Sequence, residues 1–338
     1  MTIMDKHNAN LCILQVLQKH TDKDHVLSQQ EVLRYLKDEY DLTIDRRSVK
    51  SNIEFLQEAG YEIETEGGYR LVTRELEDAE LRMLIDSVLF SRYLSGKQAS
   101  QLIEKLRGMS SSYFSARLSH VSGLREMQYV DNQQVLYSIE TISDAIDANR
   151  KIHYTSSHYG TDFKRHPGTE HTVSPYQIVA NNGRFYLICH DERYHDSMAV
   201  YYRIDRMRDV QITREPRYPQ RKVDGMRNGL NLPKHMAEHV FMFRGESIPI
   251  RIQTKASMMD NLIDWFGKEF SIISEEGDEI TARIKCNEDS FFYWAMLYGT
   301  SIEVLSPESL RSRLTEASKE MVEKYRRTID DPASDTEN

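Results

Sequence analysis

SPYQIVANNGRFYLICHDERYHDSMAVYYRIDRMRD, residues 174–209, carries three strand-like runs, at about 173–180, 184–190 and 198–204. Asn181-Asn182-Gly183 separates the first two, and Asn-Gly is the strongest short hairpin signal, because a type I′ turn needs positive φ at both central residues. Alternation across the second run puts Phe185, Leu187 and Cys189 on one face and Arg184, Tyr186, Ile188 and His190 on the other. The third run ends in Tyr202-Arg203-Ile204-Asp205-Arg206. Two arginines three apart at a strand end, beside tyrosines, form a clamp for phosphate or carboxylate, since each guanidinium offers a planar fork of donors.

Three separate patches of this stretch resemble the WYL domain of bacterial transcription regulators. Phe185-Tyr186-Leu187 stands where that family has Trp-Tyr-Leu, with Ser174-Pro175-Tyr176 upstream and Arg203-Ile204-Asp205-Arg206 downstream. The resemblance implies a small SH3-like or Sm-like β-barrel. It also implies an effector that is a nucleic acid, often single-stranded DNA, or a nucleotide-like molecule. Candidate effector-binding residues are Ser174, Tyr176, Tyr186, Arg203 and Arg206, with Tyr154 and Arg184 behind them. Aromatic rings beside arginines suit a nucleobase plus phosphate. On composition alone the same residues read as ordinary strand tyrosines and as arginines pairing with Asp205.

Working outward toward the amino terminus, three helices are legible. Leu11, Ile13, Leu14 and Leu17 have helical spacing, and Ser28 with Glu31 forms a capping box ahead of Val32, Leu33 and Leu36. Asp45 caps a third helix that turns Val49, Ile53 and Leu56 inward. Strands at 61–65 and 69–71 around Gly67-Gly68 complete a winged helix-turn-helix over 1–74. The third helix would offer Arg46, Arg47, Ser48, Lys50, Ser51 and Asn52 to DNA, residue types that bond phosphates and base edges. The segment resembles the DeoR-like winged helix found before WYL domains. Ser51 and Asn52 depart from that family's Arg-Asp, which leaves the operator sequence open. Ten Lys/Arg against thirteen Asp/Glu make 1–74 net acidic, but the acids gather at Asp38, Glu39 and Asp41 and at Glu62, Glu64 and Glu66.

Residues 75–130 read as a helical linker, with one long helix at about 75–106 and another at about 132–148. The sensor domain is expected over 131–220, a WYL C-terminal extension over 221–329 and a disordered acidic tail over 330–338. The extension reads strand, helix, strand, strand, helix, strand, helix, a ferredoxin-like order. Its strands fall at 248–253, 270–274, 279–285 and 301–305, and its helices at 257–266, 290–297 and 307–325. Trp265-Phe266-Gly267 and Phe292-Tyr293-Trp294 resemble the family's extension, which contributes to dimerisation.

Composition bounds the rest. At 338 residues and net charge −9, the chain is a multidomain α+β protein without general affinity for nucleic acid. No run reaches the roughly 18 apolar residues of a membrane span, and the polar start lacks a signal peptide's apolar core, so a cytoplasmic protein is expected. Cys12, Cys189 and Cys286 are far apart and give neither a disulfide framework nor a metal motif. His153, His158, His166, His171, His190 and His195 match no metal spacing. His235-Met-Ala-Glu238-His239 satisfies the HxxEH pattern of zinc peptidases, but Pro233 precedes it and no long helix surrounds it. No catalysis, metal or cofactor is expected. The expected partners are a double-stranded DNA operator, the nucleic-acid or nucleotide-like effector and a second copy of the chain. The competing class is a single-strand-binding accessory or defence-associated protein acting through protein partners.

Overall fold

The computed structural model describes residues 9–91, 94, 96–117 and 134–326. It divides into two compact units, Met1–Gln133 and Gln134–Asn338. The tail expected at 330–338 lies outside the described residues.

The first unit opens with helices α1 (Ala9–His20), α2 (Gln29–Tyr40) and α3 (Arg46–Glu58). Two caps set where these helices start. Glu31 N–H donates to Ser28 Oγ at 3.3 Å while Ser28 N–H donates to Glu31 Oε2 at 2.8 Å, the reciprocal pair of a capping box. Ser48 N–H donates to Asp45 Oδ1 at 2.8 Å. Ile13, Val16 and Leu17 of α1 meet Val32 and Leu36 of α2 and Val49, Ile53 and Leu56 of α3 in one core. Leu11, one of the apolar residues at helical spacing, is 56% exposed, because α1 turns Cys12 and Val16 to the core. Strands β1 (Ile63–Glu64) and β2 (Arg70–Leu71) pair antiparallel over two residues each, a shorter hairpin than the sequence suggests.

Beyond it, the single helix expected over 75–106 is two, α4 (Asp78–Leu89) and α5 (Gly96–Arg107). Glycine costs helix stability in an interior position, and here Gly96 opens α5. A short α6 (Ser112–Arg117) follows, and its Phe114 packs with Leu81 and Ile85 of α4. This helical segment returns to the first three helices. Tyr113 stacks on His25 with ring centroids 3.6 Å apart, and Ser112 Oγ donates to the Lys19 carbonyl at 3.1 Å.

In the second unit, α7 (Gln134–Asp147) covers a five-stranded sheet. Its order is β6 (Val200–Arg203), β5 (Arg184–His190), β4 (Arg165–Asn181), β3 (Arg150–Tyr159) and β7 (Met207–Pro216). All neighbours are antiparallel. β4 is shared: its first half pairs with β3 as far as Val173, and from Ser174 it pairs with β5. Asn182 (φ 47°) and Gly183 (φ 66°) make the β4–β5 turn, as the Asn-Gly signal requires. Both faces of β5 are covered. Phe185, Leu187 and Cys189 pack with Ile142 and Ala145 of α7, and Tyr186 and Ile188 pack with Val223, Met226 and Met242.

A closed barrel is not formed among the described residues. β6 and β7 stand at opposite ends of the strand order. β6 has only four residues, the 3₁₀ turn Ile204–Arg206 follows it, and β7 then pairs with β3.

After α8 (Leu232–Glu238), the elements follow the order read from the sequence: β8 (Ser247–Lys255), α9 (Met259–Phe266), β9 (Ser271–Glu276), β10 (Glu279–Asn287), α10 (Glu288–Leu297), β11 (Ile302–Ser306) and α11 (Glu308–Arg326). They form an antiparallel sheet in the order β11-β8-β10-β9. Trp294, Phe291, Phe266 and Leu262 fill its core against Ile250, Ile252 and Ile284. The segment 240–243, ahead of β8, forms no strand.

Candidate effector site and nucleic-acid face

Two arginines, Arg165 and Arg206, flank Tyr159, the last residue of β3, and Arg203 lies beside Arg206. Arg165 opens β4 directly opposite it; its Nε donates to the Tyr159 hydroxyl at 3.0 Å and its Nη2 to the Asp205 carbonyl at 2.5 Å. The Arg165 and Arg206 guanidinium carbons lie 5.3 and 5.4 Å from the Tyr159 ring centre, within cation–π range. Arg203, at the end of β6, grips Asp205 with two nitrogens, at 3.1 and 2.7 Å. The turn is pinned from below, because Ser157 Oγ donates to the Arg206 carbonyl at 3.0 Å.

Arg203 thus holds the Asp205 carboxylate and Arg165 its main-chain carbonyl, with Arg206 alongside. Burial, with Arg203 and Arg165 close by, lowers the pKa of Arg206, and Asp205 offsets this only in part. Among the described residues the buried Arg206 Nε has no hydrogen-bond partner. A buried donor without a partner is costly, and an oxyanion placed there would satisfy it and relieve the repulsion. The arrangement suits a phosphate or carboxylate next to an aromatic ring.

The expected residues divide. Arg203 and Arg206 are brought together. Tyr186 lies directly across from Arg203 in the β5–β6 pairing, half-buried, and packs with Tyr176 and Ile188. Ser174 and Tyr176 are buried and hold the chain at 218: Tyr218 N–H donates to Ser174 Oγ at 2.8 Å, and the Tyr176 hydroxyl donates to the Tyr218 carbonyl at 2.9 Å. Tyr154 is buried, stacked on His171 with centroids 4.9 Å apart, and its hydroxyl has no partner among the described residues. Arg184 is half-buried where β5 begins.

Sequence reasoning missed Tyr159 and Arg165. It also missed a network around the buried Asp191, which accepts from the Tyr202 hydroxyl at 2.6 Å and from Arg193 at 2.7 Å, with His171 against Arg193. Burial opposes ionisation of Asp191, but the bonds from Arg193 and Tyr202 outweigh it and hold the carboxyl below its ordinary pKa.

On α3, Arg46, Arg47, Lys50 and Ser51 are exposed, while Ser48 and Asn52 are half-buried. Asn52 Nδ2 donates to the Ser48 carbonyl at 2.7 Å, so its amide is engaged within the helix. Lys50 lies 3.8 Å from Glu54 one turn on.

The HxxEH residues fall on a seven-residue helix, α8 (Leu232–Glu238), with His239 just beyond its end. Glu238 pairs with Lys285 at 3.2 Å, and among the described residues no group of three His, Cys, Asp or Glu side chains is placed to hold a metal ion. No described helix is long and apolar enough to cross a membrane.

Residues 138–212, from within α7 into β7, match the model of the WYL domain. The chain carries a WYL domain, and the arginine cluster lies inside it. Two solved structures are similar. Proteasome accessory factor B/C of Arthrobacter aurescens is 12% identical with a TM-score of 0.30, over 95% of this chain and 49% of that one. A CRISPR Cas-related protein is 13% identical with a TM-score of 0.38, over 77% of this chain and 76% of that one. This chain thus spans about half the length of the first. No curated protein matches it.

Proposed function

We propose that the chain is a bacterial transcription regulator that binds an operator duplex through α3 and senses a nucleic-acid or nucleotide-like effector in its WYL domain. The observation that carries this reading is the Tyr159–Arg165–Arg203–Arg206 cluster, with its unpartnered Arg206 Nε, inside a WYL domain. Three short helices and a hairpin, with Arg46, Arg47 and Lys50 exposed on the third helix, support a winged helix-turn-helix head of the DeoR-like kind over 1–74. Residues 75–130 act as the helical linker, 131–220 as an SH3/Sm-like sensor sheet and 221–329 as a ferredoxin-like extension. The protein works as a homodimer in the cytoplasm, without cofactor or catalytic step. The effector favours one arrangement of the two heads and so changes operator affinity.

A second reading draws on the net acidity of residues 1–74. The sheet then binds single strands and the head binds a protein partner, as in an accessory or defence-associated protein.

Binding of the full chain to its own upstream duplex and to a single-stranded oligonucleotide, at about 50 and about 200 mM salt, separates the two. The regulator gives tight, sequence-selective duplex binding that shifts when the single strand is added. Arg203→Ala abolishes that shift and spares basal duplex binding. Single-strand binding with no duplex selectivity sinks the regulator and leaves the accessory protein.

A further inference from the structure

The sheet β11-β8-β10-β9 buries one face. Ile250 and Ile252 of β8 and Ala282 and Ile284 of β10 pack with Leu262, Phe266, Phe291 and Trp294 of α9 and α10. Strand alternation puts Arg251 of β8 and Arg283 and Lys285 of β10 on the opposite face, and all three are exposed.

The register of that face brings two like charges together. Arg251 and Arg283 are direct cross-strand partners, so their Cβ atoms lie about 5 Å apart. Like charges directly opposite destabilise a sheet. Neither guanidinium has a hydrogen bond, ion pair or ring contact among the described residues that would offset the repulsion. The rest of their row is uncharged: Ser306 of β11 lies across from Arg251, and Ser271 of β9 across from Arg283. Gln253 and Thr281 form the next row on one side. On the other, Lys285 stands opposite Pro249 and reaches Glu238 at 3.2 Å.

The carboxylates of the face lie outside this row. Glu303 is held by Arg311 at 2.7 Å. Glu279 is opposite Lys255 on one side and Glu276 on the other, about 13 Å along β10 from Arg283 at about 3.4 Å per residue. The same sheet therefore sets a cation against an anion at its far end and two cations against each other in its middle.

Two free guanidiniums between hydroxyls are donors of the kind that hold phosphate oxygens. None of the four strands contains an aromatic residue, so the face offers bases no ring to stack on. An acidic peptide fits it less well. Arg251 and Arg283 lie on the two inner strands, away from the edge where a peptide adds as a strand, and no apolar side chain in their row would pocket its residues.

We propose that the open face of this sheet binds the phosphodiester backbone of a nucleic acid, with Arg251 and Arg283 on two neighbouring phosphates. The contact is independent of base sequence. It rests neither on the arginines around Tyr159 nor on α3.

Fluorescence anisotropy of the full chain tests it, on a labelled oligothymidylate of about 20 nucleotides and a random duplex of the same length, between about 50 and about 200 mM salt. In Arg251→Gln/Arg283→Gln the slope of log Kobs against log salt should become shallower by about 1.4 on the single strand, or by about 1.8 on the duplex, and the arm that changes names the source of the backbone. Lys319→Gln/Lys324→Gln removes the same charge from the exposed side of α11 and should leave both slopes alone. Arg283→Glu sets opposite charges across the strands, so nucleic-acid affinity should fall about tenfold or more while the thermal midpoint holds or rises. An arginine needed only for the fold would move that midpoint down, and such a fall overturns the proposal. Slopes unchanged in the arginine double variant overturn it, as does an equal change in the α11 control, which would report net charge alone. Absence of saturable binding to both nucleic acids overturns it as well. Displacement by polyglutamate as effective as by unlabelled oligonucleotide would assign the face to an acidic protein and overturn the nucleic-acid partner.

Discussion

Helix α3 and the packed groups of the 134–338 unit treat charge in opposite ways. On α3, Arg46, Arg47 and Lys50 stand in solvent, and the one ion pair there, Lys50–Glu54, is long and exposed on both sides. In the 134–338 unit, Asp191, His171, His235, His239 and the arginines around Tyr159 are buried or half-buried and mostly engaged by neighbours. Exposed charges cost nothing to fold and are screened by salt, so they suit a polyanion that binds and leaves. Buried ones must be satisfied in the fold, so they are pre-organised, and among the described residues Arg206 Nε and His235 Nε2 are exceptions left without a partner.

The largest effect expected from this contrast is in pH. His171, His235 and His239 all have folded pKa values below the ordinary histidine value, chiefly through burial. Below about pH 6.5 the unfolded chain takes up protons that the folded rings refuse, so stability is complete above that pH and drains as pH falls toward the folded values. His235 alone contributes a loss of about 2 kcal/mol at pH 5, at about 1.4 kcal/mol per pH unit. Both tryptophans, Trp265 and Trp294, belong to this unit, so denaturant unfolding followed by their fluorescence at pH 7 and pH 5 reads it selectively. A midpoint that does not move would show that these histidines are not held neutral, and the contrast would lose its second half.

Next in size is Arg47→Ala, which should weaken operator binding by about 1–3 kcal/mol if the side chain reaches a base edge. Fluorescence anisotropy on a labelled duplex measures it. Unchanged binding would move the DNA surface off α3.

How much of this was legible depends on local chemistry. The elements from 247 to 326 were found in order because Ile250, Ile252, Ile280, Ala282 and Ile284 alternate strictly on one buried face. The capping box at Ser28 and the Asn182-Gly183 turn were equally explicit. Tyr159 and Arg165 were not, because Pro167 and Gly168 argue against a strand there. The structure keeps both residues by shifting register between Thr155 and Ser157, where a Cβ on Gly168 would fall 2.5 Å from Ser156 Oγ. β7 was missed because Val210 and Ile212 are its main apolar signal amid charge, and Ile212 is itself 42% exposed. The half-ligated state of His235 and Arg206 is a tertiary property that no periodicity encodes.

The contrast also predicts that the head's stability rests on local backbone satisfaction more than on charge. Ser28→Ala removes the acceptor for Glu31 N–H and half of a capping box, at about 1 kcal/mol. Thermal unfolding of the full chain should show that loss in the transition of residues 1–133. A change under about 0.3 kcal/mol would mean that water replaces the cap at no cost.

The smallest energetic effect separates the two kinds of charge most cleanly. Lys50→Ala gives up an exposed i,i+4 pair with Glu54 worth about 0.3–0.5 kcal/mol, so unfolding should barely shift. Its effect belongs in the salt dependence. If Lys50 neutralises a phosphate, its loss removes about one released counterion, and the slope of log Kobs against log salt should become shallower by about 0.9. Arg203→Ala, in the other unit, should leave that slope alone, because its guanidinium is committed to Asp205. A slope that responds to Arg203 and not to Lys50 would reverse the assignment, placing the duplex on the half-buried arginines and leaving α3 as a solvated face.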